Sequence, residues 1–222
     1  MIKCAIFDMD GTLVDSMTYW STAAFDYLTS LNLVSEKDLG NKFLAMSLPE
    51  SADYMIKTYN LNKSKEEVCQ GIDDVMESRY RNDVKIKPYF KELLEEFKKL
   101  GIKMAIATST DKYLVEICLK RLNIRDYFEF IITSTEVGKS KKNPDIYERC
   151  SDYFGIPYSE SIVFEDLPYG IISSSKAGFH TVGIYDSPSE MHQPVIRQNA
   201  EFYYKEFNMD SVNELVKIVK SL

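Results

Sequence analysis

Histidine is scarce. The 222 residues hold only His180 and His192, and neither lies in a cluster of potential ligands, so a histidine metal site is not expected. The four cysteines, Cys4, Cys69, Cys118 and Cys150, are far apart and show no Cys-x-x-Cys spacing. That disfavours a zinc ribbon or a redox pair and fits reduced thiols in a cytoplasmic protein. No stretch approaches the roughly 18 apolar residues of a membrane span, and the N-terminal apolar run is short and broken by Asp8, unlike a signal peptide. A cytoplasmic location is the resulting expectation. An excess of positive charge is also missing: 27 basic against 34 acidic residues give a net charge of −7, which disfavours nucleic acid and anionic membranes as partners. An anionic ligand would need a local positive feature. Internal repeats and low-complexity tracts are absent.

The length suffices for a full core, either one large domain or a core with a smaller companion. A hydrophobic content of 45% with 27% charged residues is that of an ordinary globular chain. Its most informative stretch comes first. The run Ile2-Lys3-Cys4-Ala5-Ile6-Phe7 has little alternation, as in a parallel strand covered on both faces, and stops at Asp8-Met9-Asp10-Gly11-Thr12. In an extended stretch Asp8 and Asp10 would leave the same side, and Gly11 would let the chain turn beside them. Read locally, this is either a solvated turn or a metal-dependent phosphate site.

From residue 16 the pattern becomes helical. Trp20, Ala23, Ala24, Tyr27, Leu28 and Leu31 form one apolar stripe. Ser35 and Asp38 read as a helix start before Leu39, Phe43 and Met46, and Pro49 opens a helix through Ala52, Met55, Ile56 and Tyr59. Ser64-Lys65-Glu66-Glu67 is a capping box ahead of Val68, Ile72, Val75, Met76 and Tyr80. Residues 16–84 are therefore expected to form a small helical domain, inserted between hinges near 14–17 and 82–88.

Beyond Pro88 helices and strands alternate. A helix from Pro88 to a Gly101 cap precedes a strand over 102–107, and a helix through Leu114 to Leu122 precedes a strand near Phe130-Ile131-Ile132. Pro144 opens a helix that Gly155 ends. Strands at 161–164 and 181–184 and helices through Ile171 and Val212 complete the reading. This alternation predicts an α/β fold, a doubly wound parallel sheet built from residues 1–15 and 85–222.

In such a sheet ligands bind beyond the carboxyl ends of the strands. Asp8 and Asp10, Thr108 and Ser109, the lysine loop 139–142, and Glu165 with Asp166 all follow predicted strands. Taken singly, Thr108-Ser109-Thr110-Asp111 reads first as a helix cap, and the lysine loop and the acidic pair as solvated turns.

Together they match a family. Phe7-Asp8-Met9-Asp10-Gly11-Thr12-Leu13-Val14-Asp15-Ser16 resembles the first motif of the haloacid dehalogenase superfamily, and the other three clusters resemble its second, third and fourth motifs in order. The resemblance covers nearly the whole chain and implies a Rossmann-like core with an inserted helical cap. From Phe164-Glu165-Asp166 to Ala177-Gly178 the chain resembles most the beta-phosphoglucomutase-like subgroup.

The resemblance implies Asp8 as nucleophile and Asp10 as general acid and base. It also implies Thr108, Ser109, Gly11 and a lysine around the phosphate, and Asp8, Asp10, Glu165 and Asp166 around Mg²⁺. Asp8, Asp10 and Asp166 held at close quarters would repel by roughly several kcal/mol per pair, which a hard dication relieves. The family's usual Lys-Pro-x-Pro-Asp is altered here. Registering on Pro144-Asp145 selects Lys141, with Lys142 in place of the first proline, and is the preferred register; registering on Gly138 would select Lys139 instead. Tyr19, Trp20 and Met46 fall where caps of the family meet substrate, although residues of these types on a helix more often belong to its core.

The implied activity is Mg²⁺-dependent hydrolysis of a small phosphate ester, a sugar phosphate, by a monomer. Asp10 argues against carbon–halogen chemistry, because the family's dehalogenases lack an acid two residues after the nucleophile. A phosphomutase of the same subgroup is the alternative enzyme. A phospho-accepting signalling module, which also sets Asp, Thr and Lys around a parallel sheet, would need neither Asp10 nor the insertion.

Overall fold

A computed structural model of the chain describes residues 1–36, 39, 46 and 48–222. It divides into two compact units, one of residues 1–15 and 85–222 and the other of residues 16–84.

The first unit is built on a six-stranded parallel sheet. Its strands are β1 (Cys4–Phe7), β4 (Lys103–Thr108), β5 (Phe130–Thr133), β6 (Ser161–Glu165), β7 (His180–Ile184) and β8 (Phe202–Tyr204), in the order β5-β4-β1-β6-β7-β8. The chain thus starts in the middle of the sheet and is wound outward in both directions. Helices α4 (Phe90–Lys99), α5 (Lys112–Arg121), α6 (Ser134–Val137), α7 (Asp145–Phe154), α8 (Pro168–Lys176), α9 (Gln193–Asn199) and α10 (Met209–Ser221) belong to the same unit.

β1 is fully buried, and its alternate residues serve opposite layers. Cys4 and Ile6 join a cluster with Ala105, Ala107, Val163 and the α7 residues Ile146, Tyr147 and Cys150. Phe7 points the other way, stacked on Phe164 at 4.5 Å and edge-on to Phe128, with Phe97 of α4 alongside. Registers Phe7↔Ile106 and Phe7↔Phe164 bring the carboxyl ends of the three central strands to one level. Asp8, Thr108 and Glu165 stand at that level.

Where the chain leaves the core, β2 (Val14–Asp15) pairs antiparallel with β3 (Lys85–Ile86), so two short strands join the exit to the return. The second unit holds α1 (Met17–Ser30), α2 (Leu48–Tyr59) and α3 (Lys65–Asn82). Ser64 accepts from the Glu67 amide while the Glu67 side chain accepts from the Ser64 amide, so the capping box read in the sequence is formed. Within this unit Trp20 Nε1 donates to the Tyr80 hydroxyl at 2.9 Å. The helix expected from Ser35 and Asp38 through Phe43 falls largely outside the described residues. Among those described, no helix is long and apolar enough to cross a membrane.

Two local expectations are corrected. α4 starts at Phe90 rather than Pro88, because Tyr89 takes a left-handed conformation, φ 62°, at the N-cap. Gly101, also left-handed, lies one residue past the Leu100 cap. α9 and the three-residue edge strand β8 had no expectation at all, since neither is long enough to show a period.

Candidate active site

β1 ends in Asp8, whose amide donates to the Phe164 carbonyl at 2.9 Å, so the first carboxylate is tied to the neighbouring strand just before Glu165 and Asp166. The stretch after Asp8 is not extended, as the alternation argument supposed. The amides of Leu13 and Val14 both donate to the Met9 carbonyl, which closes a tight loop, and Gly11 takes φ +82° within it. Asp8, Glu165 and Asp166 each offer a carboxylate oxygen, and the three lie within 4.8 Å of one another in full burial. The Asp10 carboxylate stands outside that trio and accepts from the Thr110 hydroxyl at 2.7 Å.

Lys141 is the only cation hydrogen-bonded to the trio among the described residues. Its ammonium donates to Asp8 Oδ1 and, at 2.6 Å, to Glu165 Oε1. Of the other two candidate lysines, Lys139 pairs with Asp145 at the surface and Lys142 is exposed. The Lys141 carbonyl accepts from Ser173 Oγ at 2.7 Å, so α8 fixes the backbone that carries the ammonium.

Burial pushes the Asp8 carboxyl up to about 7; Lys141 opposes the rise, while Glu165 and Asp10 add to it. Asp166 is driven well above the usual carboxylate range by burial, with Asp8, Glu165 and Asp186 adding and Lys87 opposing. One lysine cannot balance three carboxylates if all are ionised, and burial holds Asp8 and Asp166 toward their protonated forms. This donor set of hard oxygens fits Mg²⁺.

The phosphate-site candidates divide. Thr108 is buried, and its hydroxyl accepts from the Thr110 amide at 3.1 Å. Ser109 is exposed and contacts Ser134 Oγ at 3.1 Å. Tyr19, Trp20 and Met46 belong to residues 16–84 and are half-buried. The Tyr19 ring lies 5.6 Å from the Arg79 guanidinium.

Sequence reasoning missed several supporting groups. Thr12 donates to Asp166 Oδ1 at 3.1 Å and Ser189 to Oδ2 at 3.4 Å. Lys87 donates to Asp186 Oδ1 at 2.7 Å and to the Tyr185 carbonyl at 2.9 Å, forming a part-buried pair whose charges both act on Asp166. The rule that flagged Glu165 would have flagged Asp186, which lies two residues beyond the end of β7. Thr12 was inside the quoted first motif, and Thr110 inside the stretch read as a cap.

A family model, described as haloacid dehalogenase-like hydrolase, matches residues 5–184. The chain belongs to the haloacid dehalogenase-like hydrolases. It is therefore an enzyme, and its parallel core is the family's core. Among curated members, a phosphorylated carbohydrates phosphatase of Thermotoga maritima is 25% identical over 181 residues, covering 82% of this chain and 84% of that protein. Hexitol phosphatase B of Escherichia coli K12 is 24% identical over 217 residues, 96% and 94% of the two chains. Among solved structures, CbbY from Rhodobacter sphaeroides in complex with phosphate superposes with a TM-score of 0.82 at 20% identity, over 97% of this chain and 96% of that one. A beta-phosphoglucomutase from Clostridium difficile gives 0.75 at 20% identity with full coverage of both. These superpositions establish the shared fold.

Proposed function

We propose that this hydrolase is a Mg²⁺-dependent phosphatase that releases phosphate from a small sugar or sugar-alcohol phosphate through an aspartyl-phosphate on Asp8. The observation that carries the proposal is the buried trio of Asp8, Glu165 and Asp166 with Lys141 bonded to two of its members. The names of the curated members, phosphatases of phosphorylated carbohydrates and hexitols, support the choice of substrate.

Asp8, Glu165 and Asp166 would hold Mg²⁺, with Asp10 beside them. The bound ion neutralises charge and orients a phosphoryl oxygen. Asp8 attacks phosphorus and carries the phosphoryl group. Asp10, positioned by Thr110, protonates the departing sugar oxygen and later takes a proton from the attacking water. The loose transition state leaves charge on the phosphoryl oxygens, where Lys141, the Thr108 hydroxyl and the Ser109 amide offer stabilisation. Residues 16–84 act as the cap, with Tyr19, Trp20 and Met46 as candidates for contact with the alcohol moiety.

Phosphate release from hexitol phosphates, hexose phosphates and an aryl phosphate, measured with Mg²⁺ and with a chelator, tests the proposal. Sugar-phosphate hydrolysis that the chelator abolishes is expected. Incubation with a glucose 1-phosphate and catalytic glucose 1,6-bisphosphate separates hydrolysis from mutase chemistry. Formation of glucose 6-phosphate faster than inorganic phosphate would contradict the assignment as a phosphatase.

A further inference from the structure

Tyr147 is the third residue of α7, fully buried on the sheet face opposite the Phe7 stack. Its ring lies edge-on to Phe179 at 6.4 Å, an ordinary core contact. Its hydroxyl has a more specific environment: it donates to Glu165 Oε1 at 2.7 Å, the oxygen to which Lys141 donates at 2.6 Å. The Lys141 ammonium lies 5.9 Å from the Tyr147 ring centroid, so the ring also flanks the cation.

The surroundings are shaped to admit this contact. Gly170 lies inside α8, where glycine weakens a helix. A Cβ there would fall 2.5 Å from Glu165 Cδ, 2.7 Å from Glu165 Oε1 and 2.7 Å from the Tyr147 hydroxyl. Any larger residue would push apart the pair that the glycine accommodates. Both donors fall on Oε1, so a single oxygen anchors the Glu165 carboxylate. A buried carboxylate that lost one donor would be freer to rotate and to draw Lys141 away from Asp8.

We propose that Tyr147 is a positioning residue: its hydroxyl fixes Glu165 Oε1 as the shared acceptor of Tyr147 and Lys141, which holds the Glu165 carboxylate in the orientation in which it would serve Mg²⁺ and keeps the Lys141 ammonium on Asp8. The inference rests on the assignment of this site as a Mg²⁺-dependent phosphatase. Groups that orient metal ligands typically contribute about 10- to 100-fold in metal affinity or activity.

The test is Tyr147→Phe, which removes one oxygen and keeps the ring. Two quantities are measured beside wild type: the Mg²⁺ concentration giving the half-maximal rise in unfolding temperature, and kcat and KM for an aryl phosphate at saturating Mg²⁺. A rise of about tenfold in the Mg²⁺ midpoint with a fall of about tenfold in kcat, and KM within about twofold, is expected. A merely structural tyrosine would lower the metal-free unfolding temperature and leave the Mg²⁺ midpoint in place. Gly170→Ala, which displaces the same pair by intrusion, should give the same signature in any fraction that folds. If wild type responds to Mg²⁺ and Tyr147→Phe matches its midpoint and kcat within about twofold, the positioning role is overturned. A wild type that neither responds to Mg²⁺ nor hydrolyses the ester would overturn the phosphatase assignment and this role together.

Discussion

The Lys141 ammonium bridges Asp8 and Glu165, two carboxylates that follow or end adjacent parallel strands, so one cation spans the β1–β6 seam at the carboxyl edge of the sheet. Its side chain is 3% exposed, and both partners hold it protonated against the cost of burial.

From that bridge follows a test of the lysine register. Lys141→Met removes the cation that faces the transferring phosphoryl group, and kcat should fall about 10²- to 10³-fold, the usual cost of losing a preorganised charge. Lys139→Met and Lys142→Met change only exposed groups and should stay within about twofold. Initial rates of phosphate release for the three variants check this. A loss confined to Lys139→Met would contradict the arrangement.

The raised Asp8 carboxyl links stability to pH. Its ordinary value is 3.8, and burial moves it to about 7 in the folded protein without metal. Between those values the folded state keeps a proton that the unfolded chain releases, so stability falls as pH rises through the window and the contribution is lost above about pH 7. Asp8→Asn has no such proton to lose. Metal-free Asp8→Asn should therefore unfold several degrees above wild type at about pH 8 and near it at about pH 4. Thermal unfolding across that range, in chelator, reads the difference directly. A difference that does not change with pH would contradict the burial argument.

The Thr110–Asp10 contact leads to a leaving-group effect. Thr110→Val removes the donor that orients Asp10, so proton delivery to a departing alkoxide suffers. In the phosphorylation step, read as the single-turnover release of the alcohol, an aryl phosphate, whose leaving group departs without a proton, should be nearly indifferent. A fall of about tenfold in the single-turnover rate for a hexitol phosphate, with less than about threefold for the aryl ester, is expected. Equal losses on both substrates would assign Thr110 a general structural role.

Much of this was legible in the chain because the elements that carry the site also carry strong local signals. The apolar run of β1 ends abruptly at Asp8, Ser64 and Glu67 form a capping box, and polar clusters follow the ends of β4 and β6. Contacts between distant residues were not legible. Nothing near Tyr147 in sequence indicates that its hydroxyl meets Glu165, 18 positions away, or that Gly170 makes room for the pair. The partnership of Lys87 with Asp186 spans 99 residues and depends on where β7 lies beside β6. Sequence spacing favoured Lys141 but left Lys139 open, because both precede Pro144-Asp145 in a loop with no period. Burial separates them in the fold.

The central claim is that phosphoryl transfer proceeds through Asp8 itself. The most direct measurement is rapid acid quench of wild type turning over an aryl phosphate with Mg²⁺, followed by mass spectrometry of the intact chain and of its N-terminal peptide. The account predicts a phosphoryl group on the peptide containing Asp8, transient in wild type and absent from Asp8→Asn, whose phosphate release is lost. Phosphate release without a labelled peptide at any quench time, together with substantial turnover by Asp8→Asn, would contradict it.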